Sequence, residues 1–181
     1  MKPELVDTVE WESIVQTIDS EFGEGVTKEL LGSRTPIALM NEEQRNIYLI
    51  PMTWVKIILD ESQEVYDYYL IGKHLGTMSK DRFRLSLQVL PELVKLTTRV
   101  LIVAQKAAES FTYGRSILKE SVVSIGEDLK RGQRVLVLNE AKECLGIAAL
   151  SIDSVKFNRL SRDKLVGKNL VDIGWFIRRL G

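Results

Sequence analysis

The chain has 181 residues, of which 45% are hydrophobic, enough for one large or two small domains with a buried core. One cysteine excludes an internal disulfide, one cysteine and one histidine cannot supply the four ligands of a structural zinc, and no apolar run approaches the length of a membrane span or the core of a signal peptide. The 25 basic and 25 acidic residues cancel, yet the charge runs from −6 over residues 1–31 and −3 over 32–70 to +5 over 71–120, zero over 121–149 and +4 over 150–181, a polarity that suits an anionic ligand for the C-terminal half and protein or solvent for the N-terminal half.

An amphipathic helix opens the chain. Trp11, Ile14, Val15, Ile18 and Phe22 fall on one face at helical spacing, Asp7 and Glu10 stand as a capping box, and Gly23 marks the stop. Residues 34–40 and 46–50 read as short strands. A short helix over 52–60 follows Pro51 with Thr53 as its cap, and 65–71 reads as a tyrosine-rich strand. Over 82–89, Phe83, Leu85, Leu87 and Val89 alternate with Arg82, Arg84, Ser86 and Gln88, the pattern of a half-exposed antiparallel strand with arginines on its open face. A short helix at 91–96 leads to a domain boundary near Thr97-Thr98, dividing residues 1–96 from 97–181. Strands are then expected at 99–104, 134–138, 145–152 and 171–177, with helical character over 109–118. Gly126, Gly132, Gly146 and Gly174 punctuate this run, and short strands at such spacing suggest a small closed or nearly closed barrel. The fold class is therefore α+β: an N-terminal α/β domain with an antiparallel sheet flanked by helices, then a C-terminal β barrel.

Chemistry-bearing residues concentrate in the C-terminal half. In the stretch Phe111-Thr112-Tyr113-Gly114-Arg115, a glycine sits between an aromatic and a basic residue, where the backbone can turn with positive φ or pass close to a ligand. Arg115 and Lys119 form one basic group. Tyr113 and Phe111 either stack on an unpaired base or pack in the core. Lys156, Arg159 and Arg162 recur every three residues and share a face on a turn of helix or an irregular hairpin tip, with Lys164 just beyond and Asp163 cancelling one charge. Arginine forks onto phosphate oxygens and lysine supplies a point charge, so this segment is either a phosphate-binding surface or a solvated loop. His74, between Gly72 and Gly76, has no nucleophile beside it. No nucleophile elbow, phosphate loop or dinucleotide fingerprint occurs, and no catalytic residue, metal or cofactor is assigned.

Several motifs look familiar together. Tyr113-Gly114-Arg115-Ser116-Ile117-Leu118-Lys119, Leu129-Lys130-Arg131-Gly132-Gln133-Arg134-Val135-Leu136-Val137, Leu145-Gly146-Ile147-Ala148-Ala149 and Val171-Asp172-Ile173-Gly174 resemble, in this order, a PUA domain, the RNA-binding module named after pseudouridine synthases and archaeosine transglycosylases. Taken whole, with Glu109-Ser110-Phe111 and Phe83-Arg84-Leu85, the chain resembles the Nip-seven family of ribosome-biogenesis factors over about residues 65–178. Over residues 5–60 the likeness is confined to the order of elements. The end at Arg178-Arg179-Leu180-Gly181, without the acidic tail of some eukaryotic members, leans toward an archaeal member.

The resemblance implies a PUA-type barrel and a non-enzymatic RNA-binding factor for large-subunit ribosomal RNA maturation. It implies RNA contact through Lys156, Arg159, Arg162, Lys164, Arg115, Lys119 and Tyr113, with single-stranded ribosomal RNA or its precursor as the ligand. Ribosome-assembly proteins would meet the N-terminal domain. A monomer is expected, away from membranes, cytoplasmic in an archaeon and nuclear or nucleolar in a eukaryote. An RNA-modifying enzyme that uses the PUA domain to position substrate and a protein-interaction adaptor stay open as alternatives.

Overall fold

The computed structural model describes residues 3–41, 44–60, 71–80, 82–175 and 178. The chain divides into two units, Met1–Ser20 with Glu24–Val89, and Glu21–Gly23 with Leu90–Gly181.

In the first unit, strand β1 (Pro3–Leu5) precedes helix α1 (Thr8–Phe22). The Asp7 carboxylate accepts from the Glu10 amide at 2.9 Å, which is half of the expected capping box and satisfies a helix-end donor. Ile14, Ile18 and Phe22 are buried along the expected stripe. Helix α2 (Val26–Leu31) was not anticipated. Asp19 organises its start: its carboxylate accepts from the amides of Gly25 and Thr27 at 2.9 and 2.8 Å and from the Thr27 hydroxyl at 2.6 Å. Burial pushes the Asp19 pKa up, but these three bonds outweigh it and hold the group below the ordinary carboxylate value.

Strands β2 (Arg34–Asn41) and β3 (Gln44–Pro51) pair antiparallel, as expected. Residues 52–58 split into a short 3-10 turn and helix α3 (Val55–Ile58), so Thr53 lies inside the turn and caps nothing. The strand expected at 65–71 falls almost wholly outside the described residues. Strands β4 (Lys73–Ser79) and β5 (Arg82–Leu85) complete a five-stranded antiparallel sheet in the order β1-β2-β3-β4-β5. Ile37, Leu39, Tyr48 and Ile50 form one core with Val55, Ile58 and Leu59 against them. Ala38, Ile47 and Leu49 are buried too, so both faces of the sheet are covered and polarity does not alternate along β3. Arg45 ties β3 to α1 through Glu10 at 2.9 Å and to β1 through Glu4.

The alternation over 82–89 was read as one strand, but the strand stops at Leu85. The Ser86 amide donates to the Leu75 carbonyl, the Ser86 hydroxyl accepts from the Gln88 amide at 3.2 Å, and residues 87–89 tighten into a 3-10 turn. A serine that bonds its own neighbourhood offers the backbone an alternative to the ladder.

The second unit continues through helix α4 (Leu90–Leu93) into strand β6 (Val100–Val103) and helix α5 (Gln105–Thr112). The expected helical stretch at 109–118 is therefore displaced: α5 begins directly after β6 and ends at Thr112, before Gly114 takes φ +86. Strand β7 (Ile117–Leu118), a 3-10 turn at Lys119–Ser121 and strand β8 (Val122–Ile125) follow, then β9 (Arg134–Leu138) and β10 (Cys144–Leu150). After a 3-10 segment at Ser154–Arg159, β11 (Leu165–Asp172) closes the unit. The strand expected at 171–177 thus lies earlier in the chain. Lys168 and Asn169 had hidden its alternation.

The six strands run in the order β7-β11-β10-β9-β6-β8, antiparallel except for β6 beside β9. The two end strands, β7 and β8, are joined by only the three residues Lys119–Ser121, which reach at most about 11 Å. The sheet must therefore curl until its ends meet, which makes a nearly closed barrel. Its interior holds Leu101, Val103, Phe111, Ile117, Val137 and Val166. Gly146 permits the ladder irregularity in β10: its φ is +150, and a Cβ there would collide with the Val171 carbonyl.

Candidate nucleic-acid interface

The basic residues singled out by sequence gather along one edge of the barrel. Ile117 pairs with Gly167 and Leu118 with Leu165, and the Lys119 amide donates to the Lys164 carbonyl at 2.8 Å. Because β7 and β11 run antiparallel, Lys119 and Lys164 stand together at one end of this two-strand ribbon. Arg115, just before β7, comes to the end occupied by Lys168 and Asn169, where the Asn169 amide donates to the Ser116 hydroxyl at 3.4 Å. Four residues of strand separate Lys164 from Lys168, about 13 Å. Lys168 is exposed and was missed, for the same reason that β11 was misplaced.

The loop 154–164 extends this strip. Lys156 and Arg159 lie in the 3-10 segment, where side chains three apart eclipse, so the expected shared face holds for these two. Arg162 stands past Leu160, where its carbonyl accepts from the Glu120 amide at 3.1 Å. Arg159, Arg162 and Lys164 are exposed, and none of them is in an ion pair within 4 Å among the described residues. Lys156 differs: its ammonium pairs with Asp153 at 2.8 Å. Hydrogen bonds from the Arg131 amide and Lys156 keep the Asp153 carboxyl below its ordinary value. Asp163, held low by the Ser161 hydroxyl, its own backbone and Lys164, stays ionised and subtracts one charge from the loop.

Lys119 has a different employment from the rest. Its ammonium donates to the carbonyls of Leu160 at 2.6 Å and Asn158 at 3.2 Å, and lies 5.5 Å from the centre of the Phe157 ring. Phe157 packs against the barrel core. Lys119 thereby pins the loop that carries Arg159 and Arg162. At the other end of the strip, Tyr113 is 73% exposed beside exposed Arg115, whereas Phe111 is buried at 1% and belongs to the core. The two aromatics are thus resolved into one surface ring and one core ring.

Further features bound the chemistry. An open groove of about 490 Å³ runs between β8 and the 3-10 segment, lined by Val123, Ser124, Glu127, Asp128, Ser154 and Phe157. Its two carboxylates make it a poor host for phosphate. Among the described residues no three His, Cys, Asp or Glu side chains come together as a metal site. Cys144 is held away from water, and burial pushes its thiol pKa up to about 11. His74 sits in β4 with its ring 5.0 Å from that of Tyr48, and burial lowers its pKa.

Residues 99–181 match the family model of the UPF0113 PUA domain, so this part of the chain is a PUA domain. The chain is also similar to three archaeal structures. One is a hypothetical protein from Pyrococcus horikoshii OT3, at 15% identity and TM-score 0.65 over 94% of this chain and 93% of that one. Another is a conserved PUA domain protein from Thermoplasma acidophilum, at 10% identity and TM-score 0.63 over 99% and 100%. The third is a PUA domain from Aeropyrum pernix K1, at 14% identity and TM-score 0.64 over 96% and 86%. At these identities the likeness is one of fold. No curated protein matches the chain.

Proposed function

We propose that this chain is an RNA-binding factor without catalytic activity that acts in large-subunit ribosome assembly, as a member of the Nip-seven family. Single-stranded RNA lies along the β7/β11 edge. Arg159, Arg162, Lys164, Lys168 and Arg115 meet its phosphates, and Tyr113 stacks on an unpaired base. The acidic N-terminal unit meets assembly proteins. The observation that carries the reading is the exposed cationic strip on an edge of a domain that matches PUA domains. Phosphate contacts release counterions, so affinity for single strands falls with salt by about 0.7 log units per log unit of salt for each contact.

The test is a fluorescence-anisotropy titration of a labelled single-stranded ribosomal RNA fragment at several salt concentrations, on the wild-type chain and on Arg159→Ala/Arg162→Ala. The double variant is expected to weaken binding and to flatten the slope by about 1.4, two contacts' worth. An unchanged slope would remove those arginines from the interface. Absence of any salt-sensitive RNA affinity in the wild type would leave the adaptor reading in its place.

A further inference from the structure

The turn that carries Tyr113 and Arg115 is fastened by three polar residues, of which Asp172 is buried. The last carbonyls of a helix lack intrahelical donors. At the end of α5, Asn169 Nδ2 donates to the Phe111 carbonyl at 2.8 Å, and the Arg178 guanidinium donates to the Thr112 carbonyl. Arg178 also forks onto both oxygens of Asp172 at 2.9 Å each, and Asn169 Nδ2 reaches Asp172 Oδ2 at 3.2 Å. Asp172 is only 1% exposed. A buried carboxylate in a bidentate pair is held in one geometry, because losing either partner strands a charge away from water.

Two glycines let the parts close up. A Cβ on Gly174 would collide with the Thr112 carbonyl, so Arg178 could not approach it along the same path. Gly114 takes φ +86, which a side chain would strain, although a Cβ there would make only an ordinary contact with Arg178. The outer side of the same turn is open: Tyr113 is 73% exposed, and Arg115 points to solvent. An exposed aromatic gains little from folding by itself. One carried on a turn whose backbone is tied at Phe111 and Thr112, with the Ser116 hydroxyl held by Asn169, leaves less backbone freedom to be lost when a ligand arrives, and that raises affinity without adding a contact.

We propose that Arg178, Asp172 and Asn169 are positioning residues that pre-order the Tyr113-Gly114-Arg115 turn as a stacking platform for an unpaired nucleobase. This rests on the RNA-binding reading above. Arg178 has its charge neutralised by Asp172, so it acts through Tyr113 and not on phosphate.

The experiment is a double-mutant cycle on the full chain, read by anisotropy with a short labelled single-stranded oligoribonucleotide. Tyr113→Ala is expected to weaken binding roughly 5- to 150-fold, the range of one lost base stack. Arg178→Ala is expected to cost a comparable factor, and the double variant no more than the larger single one. The salt slope stays that of wild type in all three. Multiplying losses, or a slope lowered by about 0.7 in Arg178→Ala, overturns the proposal, the latter because Arg178 would then be a phosphate ligand. If Arg178→Ala does not fold, as circular dichroism would reveal, Asn169→Ala removes the tie to Phe111 and enters the cycle in its place under the same criteria. Salt-sensitive binding that ignores Tyr113→Ala overturns the platform alone. Absence of salt-sensitive binding in the wild type overturns the RNA reading itself.

Discussion

Replacing Lys119 by methionine tests whether this residue anchors the loop or holds RNA. Methionine keeps most of the stem and removes the ammonium. The bond to the Leu160 carbonyl is 2.6 Å and partly buried, and a hydrogen bond to a charged group there contributes about 1.5–2 kcal/mol. The bond to the Asn158 carbonyl, 3.2 Å and exposed, adds at most about 0.5 kcal/mol once water competes for it. The ammonium 5.5 Å from the Phe157 ring adds about 0.5 kcal/mol at such an exposed site. Water can reach the freed carbonyls in part, so the net loss is about 2 kcal/mol. Urea unfolding followed by circular dichroism should show a lowered midpoint for the second unit. RNA affinity should fall too, because Arg159 and Arg162 ride on the loosened loop. A stability equal to wild type, together with a salt slope reduced by one contact, would refute the reasoning and make Lys119 a direct phosphate ligand.

Two further predictions concern single titratable groups. Burial raises the Cys144 thiol from 9.0 to about 11, so at a given pH its thiolate is roughly a hundredfold scarcer than that of a free cysteine. Iodoacetamide near pH 8 should label the urea-unfolded chain quickly and the native chain slowly, and equal rates would show the thiol to be open to solvent. Burial lowers the His74 pKa below 6.5, with a hydrogen bond at Gly76 partly opposing it, so the folded chain holds the ring neutral where the unfolded chain binds a proton. Its stabilising effect is whole above about pH 6.5 and is lost as pH falls below that value. Urea midpoints at several pH values between about 7.5 and 5.5 should decline in the wild type and decline less in His74→Gln. Identical pH dependence would assign the decline to other groups.

The β7/β11 edge explains why a chain of zero net charge can serve an anion. Acids and bases are segregated along the chain, and the barrel then collects the C-terminal bases on one ribbon. Asp153 and Asp163 temper this surface, and Asp153 withdraws Lys156 from it. Among the described residues of this strip, Arg159, Arg162, Lys164, Lys168 and Arg115 are the exposed bases left for the proposed phosphate contacts.

Local physics made much of this protein readable. The stripe from Ile14 to Phe22, the Asp7 cap, the apolar runs of β2, β3, β6, β9 and β10 and the positive φ of Gly114 follow from periodicity, capping and backbone freedom, which act over a few residues. The ordered glycine and basic motifs likewise pointed to the PUA domain. What the sequence could not show depends on residues far apart in the chain. Lys168 lay outside the expected strands, and pairing with Ala149 of β10 makes it part of one. Lys119 and Arg159 are alike as cations in sequence. Carbonyls some 40 residues along the chain turn the first into an anchor, whereas the second has no such partner among the described residues. Side-chain chemistry is local and can be read from the sequence, whereas the partner that uses it up is set by the closure of the barrel.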